Sequence, residues 1–398
     1  MNPLSPIPAI ASILTAVVTA FFLSRRFGGP NEQDRFASID GLRGYLAFFV
    51  FLHHSSLWYF FLHTGKWELP TSNLYRHFGQ SSVALFFMIT GFLFFSKLIN
   101  SRTRKIDWLQ LFVSRFMRLV PLYLAAMIML FIIIAIASQG TLSEPPIALI
   151  KNCIKWLIFT VPGAPEINRI GQTWQIVAGV TWSLPYEWFF YFSLPLLAIV
   201  MGRSVPVGAI TIALVGLISM LLWPKDLDMF WSFAGGVVAA YFVRIEKLRQ
   251  FSSTPMASLL VVGILTLVVL CFERAYMAAP LILLTLAFIL IASSTNLFGI
   301  LTWKPSLFLG EQAYSLYLLH GVVLYVTMNY VIGLDTARTI SPIIYWSIVV
   351  ALTPILIFLC YLTCRYIEIP GMNRTKYITA WVRKIYIGAK SQIFQLPS

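Results

Sequence analysis

Long apolar runs separated by short polar segments make up most of this chain. A helix needs about 17–25 residues, at ~1.5 Å per residue, to cross the hydrocarbon core of a bilayer. Backbone groups in lipid must hydrogen-bond within their own segment, so spanning runs are expected to be helices. Eleven spans are predicted, of which 229–243 is the shortest: 6–24, 43–62, 81–98, 118–138, 179–200, 205–223, 229–243, 256–272, 276–293, 313–332 and 342–364.

Composition supports a lipid environment. Hydrophobic residues make up 59% of the chain and charged residues only 11%, which is outside the range of soluble globular proteins. The net charge of +14 would suggest nucleic acid in a soluble protein, but here the charges fall between apolar runs. We therefore predict an all-α integral membrane protein of about eleven transmembrane helices, with the lipid bilayer and not nucleic acid as its surroundings. The four cysteines show neither a disulfide framework nor metal-ligand spacing, so no metal is expected.

The distribution of basic residues predicts the topology. Met1–Pro8 carries no basic residue, whereas Arg25 and Arg26 follow the first apolar run directly. This order predicts a retained N-terminal anchor rather than a cleaved signal peptide. With the N-terminus outside and the C-terminus in the cytoplasm, 21 of the 29 basic residues fall inside, as the positive-inside rule requires. They include Arg35, Arg43, Lys97, Arg102, Arg104, Lys105, Arg115 and Arg118.

Two segments outside the spans have distinctive patterns. The longest connection, 139–178, contains an apolar part near Ile147–Pro162 that is expected to lie along the surface or to re-enter the membrane. The tail after Pro370 mixes basic and aromatic residues. It suits either an amphipathic interfacial helix or a solvated basic tail.

Ionisable groups inside the spans are few. Arg43 stands at the start of the second span and His54 eleven residues later, which is ~16 Å along a helix. His53, His320 and Glu187 are the other candidates within spans. Polar groups at such depth are costly and usually functional. They fit a proton relay of a transporter through His54, His320 and Glu187, an enzyme with a histidine general base, or structural hydrogen bonding.

Six motifs in sequence order distinguish these alternatives, because together they resemble the acyltransferase-3 family of membrane acyl-CoA-dependent O-acyltransferases. The resemblance runs from about Arg35 to Pro370. The matching segments are Asp40-Gly41-Leu42-Arg43-Gly44 with His54, Phe86 to Leu93, Arg115 to Tyr123, Trp182-Ser183-Leu184 with Glu187, Leu309 to His320, and Ile367-Glu368-Ile369-Pro370.

The resemblance implies transfer of an acyl group, most often acetyl, from cytoplasmic acyl-CoA to a hydroxyl of an envelope glycan or lipid-linked saccharide. It implies a multi-pass protein of the bacterial inner membrane. His54 is then the catalytic imidazole, Glu187 is expected to orient an imidazole or the acceptor, and Arg43 belongs to the same catalytic set. Arg43, Arg115 and Arg118 are expected to bind the phosphates of coenzyme A. Supporting or substrate-binding candidates in the motifs are Asp40, His53, Trp182, Ser183, Tyr317, His320 and Glu368.

Simpler interpretations of some of these residues stay open. Arg115 and Arg118 could serve only the positive-inside topology. His53 could be a packing neighbour, since adjacent side chains point about 100° apart on a helix. The chain also departs from the family pattern at Ala84, Thr90 and Pro185, and a proline at 185 is expected to kink its helix.

The same resemblance predicts the domain layout. An anchor and basic linker cover 1–34, the acyltransferase core 35–370, and a basic cytoplasmic tail 371–398. A secreted hydrolase-like domain, fused to some relatives, is not expected.

Overall fold

A computed structural model describes residues 2–28, 36–101, 105–221, 223 and 226–393. The predicted basic residues Arg35, Arg102 and Arg104, and most of the linker before Arg35, lie outside the described residues. The described parts are helical and contain no β-strand; a single isolated bridge joins Ile167 and Ile170. The all-α fold class is therefore confirmed for these residues.

Seventeen α-helices follow one another along the described chain. They are α1 Pro6–Phe27, α2 Ala37–Thr64, α3 Asn73–Asn100, α4 Trp108–Ala137, α5 Pro146–Leu157, α6 Leu184–Val200, α7 Val207–Ser219, α8 Asp228–Phe242, α9 Glu246–Ser252, α10 Pro255–Cys271, α11 Ala278–Ala292, α12 Lys304–Glu311, α13 Ala313–Val326, α14 Leu334–Ala337, α15 Pro342–Thr363, α16 Ile369–Asn373 and α17 Thr375–Ile393. Two 3₁₀ turns, Thr173–Val177 and Val180–Ser183, precede α6, and π-helical turns follow α13 and α15.

Each of the eleven predicted spans coincides with a helix, but the helices differ in length. Among the described residues, six helical segments are long and apolar enough to cross a membrane by themselves, and a seventh is possible if α9 and α10, bent by 81°, form one span. Helices α7 and α11 are apolar but shorter. A multi-pass membrane protein is thus supported, and the count of eleven stays a prediction.

Helix α2 lies at the centre of the molecule because small residues let its neighbours approach closely. A Cβ added at Gly44 would lie 2.7 Å from the backbone nitrogen of Gly310 on α12. Helices α3 and α8 meet in the same way, since a Cβ at Gly236 would lie 2.0 Å from the Met88 carbonyl oxygen. Such contacts between small residues are typical of helix packing in lipid. They hold the helices on which Arg43 and the motif residues of α3 stand.

The expected kink at Pro185 is wrong. The 3₁₀ turn ends at Ser183 and α6 begins at Leu184, so Pro185 occupies the first helical turn. Proline is tolerated there because those amide groups have no partner within the helix. Glu187 therefore stands in the first turn of α6, where the helix dipole favours a carboxylate.

The two segments outside the spans are also helical. The apolar part of the 139–178 connection forms α5, whose Ile147, Ile150 and Ile154 are exposed while Trp156 is buried. The Tyr123 hydroxyl donates to the Trp156 carbonyl and ties α5 to α4. The tail forms α17, which packs against α4. Its place relative to a membrane interface stays a prediction.

Candidate functional site

A cavity of about 210 Å³ lies between α2, α3, α4, α6 and α13. Three residues predicted to bind the donor, Arg43 on α2 and Arg115 and Arg118 on α4, line it together with Glu187. The three-residue spacing of Arg115 and Arg118 puts both on one face of α4. We call this space the arginine cavity. It brings together charged groups that are up to 144 positions apart in the sequence.

Polar contacts hold the charges of the arginine cavity in place. The Tyr191 hydroxyl donates to Glu187 Oε2 at 3.0 Å, and Arg115 hydrogen-bonds to the same hydroxyl. The Arg115 guanidinium also lies 5.0 Å from the centre of the Phe94 ring, within cation–π range. Arg43 Nη1 lies 3.7 Å from Asp40 Oδ1, one helical turn away. Arg43 and Arg115 are thus oriented by their neighbours.

The charge balance of the cavity favours anions. Three guanidinium groups and one carboxylate line it in the described part of the chain, and Asp40 offsets part of the charge of Arg43 from outside the cavity, which still leaves a positive excess. All three arginines are close enough to Glu187 to interact with it electrostatically. Guanidinium forks match phosphate oxygens bidentately. The cavity can therefore hold a phosphorylated ligand.

Ser183 and Tyr317 form the neutral wall of the same cavity. The Ser183 Oγ and Tyr317 Oη atoms lie 2.7 Å apart, and the Tyr317 hydroxyl is also 3.0 Å from the Val180 carbonyl oxygen. This network joins the 3₁₀ turn before α6 to α13. It fixes the turn that carries the predicted Trp182-Ser183 motif against the cavity.

His54 on α2 and His320 on α13 form a separate cluster, which lies further along α2 than the arginine cavity. His54 Nδ1 lies 2.9 Å from the Val50 carbonyl oxygen and 3.1 Å from His320 Nε2. His320 Nδ1 in turn lies 2.9 Å from the Leu316 carbonyl oxygen. Carbonyl oxygens only accept hydrogen bonds, so in the neutral rings both Nδ1 atoms carry the proton and His320 Nε2 accepts. That tautomer leaves the lone pair of His54 on Nε2.

His53 is held differently from His54. Its Nδ1 atom lies 2.7 Å from the Tyr75 carbonyl oxygen, and only 6% of the residue is exposed. A Cβ added at Gly79 on α3 would lie 2.6 Å from the His53 ring. This geometry is that of a residue packed between α2 and α3.

The arginine cavity and the histidine cluster are two parts of one face of α2. Eleven residues at about 100° each bring His54 to within ~20° of the direction of Arg43, ~16 Å further along the helix. His54 does not line the arginine cavity. Tyr317 does, and its ring centre lies 6.3 Å from that of His320. Tyr317 and His320 therefore connect the two parts.

Three predicted supporting residues lie outside both parts. Trp182 is 41% exposed and packs against Phe87 and Tyr186. Glu368 is buried and accepts a hydrogen bond from Ser315. Asp40 contacts Arg43, which lines the arginine cavity.

Tyr191 is a residue of the arginine cavity to which the sequence analysis assigns no role. Its spacing of four from Glu187 on a helix was the available indication that the two side chains meet. Phe94 was missed in the same way. It lies beyond the Phe86–Leu93 motif, yet it contacts Arg115.

The proton relay expected for a transporter is incomplete among the described residues. His54 and His320 are in contact, but Glu187 bonds to Tyr191. No hydrogen bond joins Glu187 to a histidine in the part of the chain that the structure describes. Within the same residues, no group of three His, Cys, Asp or Glu side chains is placed to hold a metal ion.

Comparison with known proteins gives a match to a family model and matches to individual proteins. A family model described as an acyltransferase domain matches residues 36–365. The O-acetyltransferase OatA of Staphylococcus aureus, in strains NCTC 8325, COL and MRSA252, is 24% identical over 370 residues, covering 83% of this chain and 56% of the relative. The chain thus spans just over half the length of these curated relatives. No solved structure matches it.

Proposed function

The chain belongs to the acyltransferase family whose model matches residues 36–365, and we propose that it is a membrane O-acetyltransferase. In this proposal it moves an acetyl group from cytoplasmic acetyl-CoA to a hydroxyl of an envelope glycan or a lipid-linked saccharide. The similarity to OatA supports the O-acetyl chemistry. The observation that carries the proposal is the alignment of an arginine-lined cavity and the His54 imidazole on one face of α2.

The arginine cavity suits the donor. Coenzyme A carries a diphosphate, and the positive excess of the cavity offers Arg43, Arg115 and Arg118 as its partners. Glu187 and Tyr191 would keep the guanidinium groups oriented before the donor arrives, which reduces the cost of ordering them on binding.

His54 supplies the chemistry in one of two ways. As a general base, its Nε2 atom takes the proton of the acceptor hydroxyl while the oxygen attacks the thioester carbonyl carbon. The C–S bond then breaks and the proton passes from His54 to the leaving thiolate. As a nucleophile, Nε2 itself attacks the carbonyl carbon, the C–S bond breaks, and the thiolate leaves with the Nδ1 proton. The acceptor oxygen then attacks the acyl carbon, the N–C bond breaks, and the hydroxyl proton returns to the imidazole. Protein incubated with acetyl-CoA and no acceptor gains the mass of one acetyl group on His54 only in the second case.

The distance along α2 between Arg43 and His54 gives Tyr317 a role in this proposal. Phosphates at the level of Arg43 leave the thioester ~16 Å to extend before it meets His54. Tyr317 lines the cavity and lies beside His320, so the acyl arm would pass its side chain.

The proposed arrangement in the bacterial inner membrane has the N-terminus outside and the C-terminus in the cytoplasm. The proposed layout keeps an anchor and linker at 1–34, a core at 35–370 and a basic tail at 371–398. A cysteine introduced at Thr64 should then react with an impermeant thiol reagent in intact cells, and one at Ser101 should not. The reverse pattern would move the donor site to the outer side and overturn the proposed source of acetyl-CoA.

Mass spectrometry of envelope glycans from cells with and without the gene tests the function as a whole. We expect one acetyl group per modified sugar to disappear in the deletion strain and to return with the wild-type gene but not with His54→Ala. An identical mass profile in all strains would contradict the proposed activity.

A further inference from the structure

A second cavity of about 330 Å³ adjoins the arginine cavity. Phe94 and Arg115 line both spaces, so the two share a wall. Lys97 and Lys105 line the second cavity as well, and we call it the lysine cavity. Lys97 Nζ lies 5.3 Å and Arg115 Cζ 5.0 Å from the centre of the Phe94 ring. One aromatic ring thus holds a cation of each cavity.

The lysine cavity is strongly cationic because the Asp107 carboxylate that lines it is already paired with Arg383. Asp107 is the acidic residue among the described residues that line it, and its carboxylate accepts a hydrogen bond from Arg383 on α17 and one from the Gln110 amide. Burial raises the pKa of the Asp107 carboxyl, but the bonds from Arg383 and Gln110 lower it overall. The charge of Asp107 is therefore paired, and Lys97, Lys105 and Arg115 are left facing the space.

Two adjoining cationic cavities fit a ligand with two separate phosphate groups. Coenzyme A has this chemistry, with a diphosphate on the pantetheine arm and a phosphate monoester on the 3′ carbon of its ribose. Arginine forks suit the diphosphate, whereas the mobile ammonium groups of Lys97 and Lys105 act as point charges toward a terminal monoester. We infer that the lysine cavity binds the 3′-phosphate end of the donor, and that the Arg383–Asp107 pair keeps it free of negative charge. This inference rests on the proposed function.

Affinities for coenzyme A and for 3′-dephospho-coenzyme A test the inference, measured by calorimetry on purified protein in uncharged detergent. Wild type should bind coenzyme A about tenfold more tightly, a difference of ~1.4 kcal/mol. The double variant Lys97→Ala/Lys105→Ala should bind both ligands equally, with its affinity for dephospho-coenzyme A unchanged. Lys247→Ala, an exposed lysine of α9 that lines neither cavity, is the matched control and should keep the tenfold preference.

The tail helix gives an independent measurement. Arg383→Ala should expose the Asp107 carboxylate to the ligand and reduce the preference for coenzyme A about threefold. Asp107→Asn added to Arg383→Ala should restore it, because asparagine keeps the N-cap of α4 but has no charge. Loss of binding in both variants, with a lowered melting temperature, would show that α17 only supports the fold and would overturn the role of the ion pair.

Other outcomes separate this inference from the proposed function. If wild type binds both ligands with equal affinity, or the lysine variant keeps the preference, the inference is wrong while a coenzyme A donor stands. If wild type binds neither ligand, the donor in the proposed function fails too. A lipid phosphate is the competing occupant. If the lysine variant loses stabilisation by added phosphatidylglycerol but keeps its nucleotide preference, lipid is the occupant and the inference is overturned.

Discussion

The two parts of the site on α2 differ in how they keep polar groups inside a membrane protein. The arginine cavity holds full charges, and it does so with a carboxylate, a tyrosine hydroxyl and an aromatic ring around the guanidinium groups. The histidine cluster uses groups that can be neutral, and backbone carbonyls accept from them. Burying an unpaired charge costs far more than burying a hydrogen-bonded neutral group. The first part is therefore suited to binding an anion and the second to moving a proton.

Spacing along one helix does not define one site. Arg43 and His54 share a face of α2, yet only Arg43 lines the cavity. Their proposed cooperation depends on residues from another helix, since Tyr317 and His320 of α13 lie between the two parts. Variants that separate binding from chemistry can test this division.

The largest expected effect is at the histidine cluster. His54→Ala should lower the rate of acetyl transfer by about 10²–10⁴-fold, the usual contribution of a general base, or by more if the imidazole carries the acyl group. The affinity for coenzyme A should stay near that of wild type, because His54 is remote from the arginine cavity. Acetyl transfer in membranes and calorimetry on the purified protein measure the two quantities.

His63→Ala is the control for this variant. His63 stands on the same helix but is exposed near its end, and it should leave transfer unchanged. Near-normal transfer by a well-expressed His54→Ala protein would remove His54 from the mechanism and leave His320 as the candidate imidazole.

Much of this comparison could be predicted from the sequence, and the limits have physical causes. Helices with apolar runs and the Arg43–His54 spacing are local properties, so α1 to α4 and the common face of α2 follow from the chain itself. The meeting of Arg115 with Tyr191 depends on how α4 packs against α6, which no local pattern encodes. Lys97 was counted only as a topological charge, because the lysine cavity brings the end of α3 beside the start of α4, and no local pattern encodes that packing.

The next largest effect should come from the arginine cavity. Arg43→Ala should weaken coenzyme A binding by about 10- to 100-fold, since a hydrogen bond to a charged group is worth ~1.5–3 kcal/mol. Wild type at ~100 times its dissociation constant should gain roughly 2.7 kcal/mol of stability, and at the same ligand concentration the variant should gain only ~0.4–1.4 kcal/mol. Thermal unfolding with and without coenzyme A measures it.

Two further variants test whether binding needs the guanidinium group of Arg43 itself. Arg43→Lys should not fully restore binding, because an ammonium group lacks the planar fork that grips phosphate. Arg249→Ala on α9 removes an exposed arginine that lines neither cavity, and it should bind as wild type does. Equal stabilisation of wild type and Arg43→Ala would show that the cavity does not hold the donor.

A smaller effect is expected at His320, which acts through His54. His320→Asn should reduce transfer by about two- to tenfold, because loss of a neutral hydrogen bond costs ~0.5–1.5 kcal/mol. The pH profile of transfer should shift as well, since the partner of His54 Nδ1 changes, and coenzyme A affinity should not. A fall in coenzyme A affinity with an unchanged pH profile would place His320 with the donor instead and would remove the division between the two parts.

The smallest effect is expected at Tyr191, where the affinity for coenzyme A should change and the pH profile of transfer should not. Tyr191→Phe keeps the ring that packs against Phe94 but removes the hydroxyl between Arg115 and Glu187. Loss of this one neutral group should weaken coenzyme A binding about two- to fivefold, at ~0.5–1 kcal/mol. The pH profile of transfer should match wild type, because no contact joins Tyr191 to the described histidines. If Tyr191→Phe moves the pH profile as His320→Asn does, the two parts share one proton network and act as a single site.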